Sequence, residues 1–173
     1  MPTKSLNELR ASGDFMAENA ILKEFSETLV VSPQHWETYG SPVNLDWQCL
    51  RFTNASKAQI PNTFGGVYTF VVQPGIANHP RCSYLFYVGK AHKQSFRERY
   101  KQYLSYKKNK TGTNWYHITK MLNRWDGYLW FCYARIDQVD LIPAVERSLQ
   151  DAYVPPYNKE FLGEVGPAVK AKL

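Results

Sequence analysis

The chain predicts an α+β domain: a small central three-stranded antiparallel sheet flanked by helices, with an N-terminal helical extension. Three observations predict it. Residues 67–72 and 84–88 are apolar, β-branched and aromatic runs separated by turn formers, the pattern of a hairpin. A third aromatic, alternating run spans 128–136. Between and after these strands lie segments with apolar residues at helical spacing, giving the order ββααβα, which suits a sheet with helices packed against it.

Taken in order, residues 16–29 set Met16, Ile21, Leu22, Phe25 and Leu29 on one helical face, with Glu18, Lys23, Glu24 and Glu27 mostly on the other. Residues 32–65 are rich in Pro, Ser, Asn and Trp, and a short strand is plausible around Trp47 to Phe52. Residues 1–62 read as an extension packed on the core, 63–160 as the core and 161–173 as a tail. Val67 to Val72 is the first core strand and Tyr84 to Val88 the second. The hairpin tip between them, 73–83, holds Pro74-Gly75 and Asn78-His79-Pro80. A helix over 94–106 follows, with Phe96, Tyr100, Tyr103 and Leu104 on one side, then a basic loop at Lys107 to Gly112. Trp115 to Asn123 is a second helix, stopped by Asp126-Gly127, and Tyr128 to Ile136 is the third strand. The last helix, about Leu141 to Tyr153, opens near Asp140 and Pro143, both suited to a helix start, and ends at Val154-Pro155-Pro156.

At 173 residues the chain is long enough for one domain with its own core. Its 12 Tyr, 9 Phe and 5 Trp fit a compact protein rather than a disordered one. No apolar run approaches the roughly 20 residues of a membrane helix. No apolar segment follows Met1-Pro2-Thr3-Lys4, so no secretory signal is expected. Cys49, Cys82 and Cys132 are odd in number and lack CxxC spacing, which reads as reduced thiols in a cytoplasmic protein. The net charge of +6 is concentrated: residues 81–124 carry 11 Lys and Arg against Glu98 alone, while the flanking segments are slightly acidic. A one-signed block with interleaved Tyr and Trp is the composition of a surface that follows phosphates, whereas a merely soluble face mixes its signs.

The tripeptides Gly66-Val67-Tyr68 and Tyr87-Val88-Gly89 lie at strand ends, followed by Lys90-Ala91. Behind them come Phe96-Arg97-Glu98-Arg99-Tyr100, the helical stretch Ala144-Val145-Glu146-Arg147-Ser148-Leu149, and Pro155-Pro156-Tyr157-Asn158. In this order the motifs resemble the GIY-YIG nuclease superfamily over roughly 65–159, each tripeptide carrying Val for Ile. The resemblance implies that Tyr68 and Tyr87 are the paired tyrosines and Arg99 (with Arg97 as fallback) the helical arginine. It further implies that Tyr103 is the residue four positions on, Glu146 the metal-binding glutamate and Asn158 the terminal asparagine. The Glu-to-Asn stretch is most similar to excision-repair members. Two features depart from the pattern: a longer stretch between Tyr68 and Tyr87, and the 65 residues ahead of it.

The chemistry of phosphodiester hydrolysis fits these residue types. Glu146 suits a hard Mg²⁺ or Mn²⁺ ion that keeps most of its waters and stabilises the leaving 3′ oxygen. Arg99 suits the oxygens on which charge grows in the transition state. Tyr68 is the expected general base, given a cationic neighbour such as Lys90 to offset a phenol pKa near 10; His92 and a metal-bound hydroxide are the other candidates. Tyr87 is expected to hydrogen-bond the phosphate or the nucleophile, and Asn158 to hold the site's geometry. Lys93, Arg97, Lys101, Tyr103, Lys107, Lys108, Lys110, Lys120 and Arg124 form the expected DNA-binding set. Taken singly, each has a plainer role: Tyr68 and Tyr87 as core tyrosines, Arg99 and Glu146 as solvated helix residues, Asn158 as a turn residue. The joint arrangement favours the chemistry. His79, Cys82, His92 and His117 match no closed zinc site, and no Walker-type glycine loop is present.

The expected function is therefore a Mg²⁺-dependent endonuclease acting on double-stranded DNA. With only 159–173 after Asn158, it is expected to be a stand-alone, restriction-like enzyme, with a homodimer suiting palindromic sites. A structure-selective nicking nuclease of repair or phage type, and a non-catalytic DNA-binding module, share the same basic face.

Overall fold

The computed structural model describes residues 8, 11, 17, 20, 23, 26–74, 82–108 and 115–158. Among the described residues four strands, not three, make the sheet. They are β1 (Trp47–Arg51), β2 (Gly66–Val72), β3 (Tyr84–Ala91) and β4 (Leu129–Arg135), in the order β1-β4-β2-β3 with every neighbour antiparallel. Among the elements whose residues are all described, four helices accompany them: α1 (Pro33–Thr38), α2 (Phe96–Lys108), α3 (Tyr116–Arg124) and α4 (Ile142–Tyr153). Short 3₁₀ turns lie at Ala55–Gln59 and Val139–Leu141.

The added strand corrects the expected three-stranded sheet and lies ahead of residue 62. β1 runs along β4 from the Trp47–Ala134 pair to Arg51–Trp130, so part of the supposed extension is an edge of the sheet itself. All five β1 side chains are exposed or only half covered, so the short strand expected around Trp47 to Phe52 shows no buried face that would assign it to the core sheet. A second correction lies in the same pair of strands. Cys49 and Cys132 are register partners and form a disulfide, S–S 2.07 Å, so only Cys82 is a free thiol among the three. Spacing along the chain gave no sign of it, because the two cysteines meet only through strand pairing across 83 residues.

β2 is central and buried on both faces, which accounts for its unbroken apolar run. Tyr68, Phe70 and Val72 face the larger core with Phe131 of β4 and Phe96, Tyr100 and Tyr103 of α2, together with Ile118, Met121 and Leu122 of α3. Val67 faces a smaller core with Val88, Ala134 and the Ile142, Val145 and Leu149 stripe of α4. A bulge opposite Phe70 and Val71 leaves Phe86 unpaired, so Phe86 and Tyr87 both pack against the larger core.

α4 begins with Pro143 in its first turn and ends at Val154, whose φ of +43° closes the helix in the left-handed region before Pro155. The expected helix at 16–29 falls largely outside the described residues. Ala17, Ala20 and Lys23 are helical, but 26–30 are not. Most of the 73–83 hairpin tip, His79, Lys110 and the 161–173 tail also lie outside the described residues. Among the described residues no helix is long and apolar enough to cross a membrane.

Candidate active site

The two tripeptides are one structural unit. β2 and β3 pair so that Tyr68 stands directly opposite Gly89. A Cβ at Gly89 would lie 2.6 Å from both Cζ and Oη of Tyr68, so the glycine of the second tripeptide makes room for the tyrosine of the first. Gly66 is fixed similarly: a Cβ there would lie 2.2 Å from the Ala134 carbonyl oxygen and 2.5 Å from Phe96 Cζ.

Tyr68 is fully buried, stacked on Phe131 with ring centres 5.2 Å apart and edge-on to Tyr103. Its hydroxyl is hydrogen-bonded to the Tyr103 hydroxyl at 2.8 Å. Tyr103 is therefore a core residue rather than a DNA-surface residue, because α2 turns its Phe96, Tyr100 and Tyr103 face onto the sheet. Tyr87 joins this cluster, 6.2 Å from Tyr103 and 6.4 Å from Tyr68 between ring centres. Burial pushes the Tyr68 phenol strongly upward, with Tyr87 adding to the rise and Arg99 opposing it; burial also raises Tyr103 and Tyr87. These phenols hold their protons at neutral pH, opposite to what a tyrosine general base requires.

Arg99 projects from α2 beside the phenols, its Nη1 donating to Gln102 Oε1 at 3.1 Å. Burial alone would lower its pKa, but Tyr68, Tyr103 and Tyr87 more than offset that and leave it raised. Arg99, Lys90, His92, Lys93 and Gln94 line an open cleft of about 540 Å³. Arg97, the fallback arginine, is used elsewhere: its Nε donates to the Ile60 carbonyl at 2.7 Å and its Nη2 to that of Ala58, tying α2 to the 3₁₀ turn. That tether occupies its Nε and Nη2.

On the other side of β3, Lys90 Nζ is bound to Glu146 Oε2 at 2.5 Å. Strand alternation explains this, since Lys90 points with Val88 toward α4 while Tyr87 and Gly89 face the phenols. The ammonium expected to lower the Tyr68 pKa is thus committed to the carboxylate. Glu146 is within electrostatic reach of both Tyr68 and Tyr87.

β3 is an edge strand, and residues 157–158 cover its open side. Asn158 Oδ1 accepts from the Val88 N–H and its Nδ2 donates to the Val88 carbonyl, both at 2.8 Å. The side-chain amide thereby replaces a neighbouring strand at the middle residue of Tyr87-Val88-Gly89. The Tyr157 N–H donates to the Phe86 carbonyl at 3.0 Å, and Gln150 Nε2 also reaches the Val88 carbonyl. Asn158 thus holds β3 at Val88 through both of its side-chain amide atoms.

The remaining basic residues divide. Lys93, Lys101, Lys108 and Lys120 are exposed. Lys107 is paired with Asp126 at 2.5 Å. Arg124 is paired with Glu27 at 2.7 Å and only 9 % exposed, while Glu27 also accepts from the Tyr157 hydroxyl. This corrects its place in the DNA-binding set: Arg124 anchors the segment around Glu27 to the loop that carries Asn158. Sequence reasoning missed that pair, 97 residues apart, and also missed Gln150. Gln102, three residues beyond Arg99 on one helix, was open to discovery from helical spacing.

Among the described residues no group of three or more His, Cys, Asp or Glu gathers as a metal-binding set. Glu146 is 15 % exposed, and its described partner engages only one carboxylate oxygen. A single carboxylate with one oxygen outside its ion pair fits an ion such as Mg²⁺, which takes one or two protein carboxylates and keeps several waters. No protein-family model, no curated protein and no solved structure matches the chain.

Proposed function

We propose that this chain is a metal-dependent DNA endonuclease of the GIY-YIG type that hydrolyses phosphodiester bonds. One observation carries the reading. Side chains from four separate stretches, Tyr68 with Tyr87, Lys90, Arg99 and Glu146, gather at one edge strand beside a cationic cleft, and Asn158 fixes that strand from its open side. A core tyrosine needs no half-buried arginine beside it, and a purely structural edge strand needs no basic cleft.

In the proposed reaction a water oxygen attacks phosphorus and the bond to the 3′ oxygen breaks. Arg99 directs its forked donors at the nonbridging oxygens as their charge grows. Tyr87, protonated, donates a hydrogen bond to the phosphate. Tyr68 does not remove the proton in this scheme; its neutral phenol holds Tyr103 and the floor of the site. His92 lines the cleft and takes the proton from the attacking water. Lys90 holds the Glu146 carboxylate beside β3. Glu146 would hold Mg²⁺ or Mn²⁺, which supplies Lewis-acid charge stabilisation at the phosphate when bound. Restriction-like recognition of a short sequence, with a homodimer on a palindromic site, completes the proposal.

The test is cleavage of a large unmethylated DNA with Mg²⁺, wild type beside Glu146→Gln, with the fragment ends sequenced. Discrete fragments sharing a short sequence and absent in the variant are expected. Cleavage confined to branched DNA would replace the restriction subtype by a structure-selective nuclease. No metal-dependent cleavage of any DNA would overturn the reading and leave a binding module. His92→Gln is expected to lose cleavage by about 10²-fold or more, and Tyr68→Phe to lose much less.

A further inference from the structure

On the flank of α2 away from Arg99, Lys57, Lys101 and Lys108 line one depression of about 220 Å³ together with Asn54, Leu104 and Ser105. Lys57 comes from the 3₁₀ turn, outside the basic stretch of the sequence, and is brought to the helix by the Arg97 contacts to Ala58 and Ile60. Three ammonium groups converging on one hollow repel one another unless an anion joins them. The depression holds no carboxylate among its lining residues. Glu98 lies three residues before Lys101 and interacts with it, but the Glu98 carboxylate is engaged by the Ser95 N–H and hydroxyl.

Helical spacing sets the geometry. Phe96, Tyr100 and Tyr103 face the core. Relative to that face, 100° per residue carries Arg99 to one flank and Lys101 and Lys108 to the other, with Glu98, Gln102 and Ser105 on the ridge between. An α-helix with its side chains is about 10–12 Å across, and the major groove of B-DNA is about 12 Å wide.

We propose that duplex DNA straddles α2, with one strand's phosphates at the Arg99 cleft and the other strand's at the Lys57, Lys101 and Lys108 depression. This rests on the nuclease reading and adds to it a second-strand phosphate site and a preference for duplex substrate.

The test is binding without divalent cation, measured by fluorescence anisotropy between roughly 50 and 200 mM salt, for a short duplex and for one of its strands alone. Lys57→Ala/Lys101→Ala/Lys108→Ala is compared with wild type after its unfolding midpoint is shown to be unchanged. Losing three phosphate contacts lowers the log–log salt slope by about 2.7 and weakens duplex binding at physiological salt on the order of 100-fold. Single-strand binding should fall by far less. An unchanged duplex affinity and slope, with Glu146-dependent cleavage intact, would overturn this inference and leave the nuclease reading standing. An equal loss for duplex and single strand would overturn the second-strand assignment. If wild type bound no DNA at all, both would fall.

Discussion

Gly89→Ala tests the coupling of the two tripeptides. The new methyl group would sit 2.6 Å from Tyr68 Cζ and Oη and 2.8 Å from Cε2, against an ordinary contact of at least 3.4 Å, so the ring must retreat by roughly 0.8 Å. It has little room, being stacked on Phe131 at 5.2 Å, edge-on to Tyr103 at 5.8 Å and tied to the Tyr103 hydroxyl. Overpacking a full core costs about 1–3 kcal/mol, and this site belongs at the upper end because the obstacle is a fully buried ring. In a chain of this length that lowers Tm by roughly 4–10 °C. Denaturant unfolding followed by tryptophan fluorescence measures it, with an unchanged m-value showing that the change lies in stability. Placing Tyr68→Leu in the same chain should relieve the clash, so the double variant costs less than the two singles together. A Gly89→Ala protein within about 0.5 kcal/mol of wild type, or strict additivity with Tyr68→Leu, would refute the idea that this glycine is there to admit that ring.

Three further outcomes are expected. Asn158→Ala strips the Val88 N–H of its partner and should cost about 1–3 kcal/mol in denaturant unfolding, with faster hydrogen exchange at the Val88 amide; Asn158→Asp should not restore the loss, since a carboxylate faces the Val88 carbonyl. The tyrosine contribution to stability should be level up to about pH 10 and fall above it, because Tyr68, Tyr103 and Tyr157 have pKa values raised on folding while the same phenols in the unfolded chain ionise near 10. Each contributes a slope of about 1.4 kcal/mol per pH unit there, read as unfolding midpoints from about pH 8 to 12, and Tyr68→Phe should remove its own share of that slope. Reducing Cys49–Cys132, which closes a long loop between neighbouring strands, should cost about 2–4 kcal/mol; Cys49→Ser should show the same loss and no further response to reductant.

Much of the fold was legible because the signals are local. β2 and β3 announce themselves as β-branched and aromatic runs, and α4 by its Pro143 start and its Ile142, Val145 and Leu149 stripe. The candidate site was legible as a set of residue types in order, but not as roles. Tyr103 and Arg124 carry the composition of a DNA-binding face, yet core packing buries the first and an ion pair holds the second, and no spacing reveals either.

The sequence by itself determined which side chains are available, which runs become strands and helices, and where the positive charge is concentrated, since these follow from composition and period. Only the tertiary structure decided who meets whom. Strand pairing made β1 part of the sheet and joined Cys49 to Cys132; alternation on β3 sent Lys90 to Glu146 instead of Tyr68; packing of α2 buried Tyr103 and brought Lys57 beside Lys101. Each is a long-range contact, fixed by burial and register rather than by neighbours along the chain.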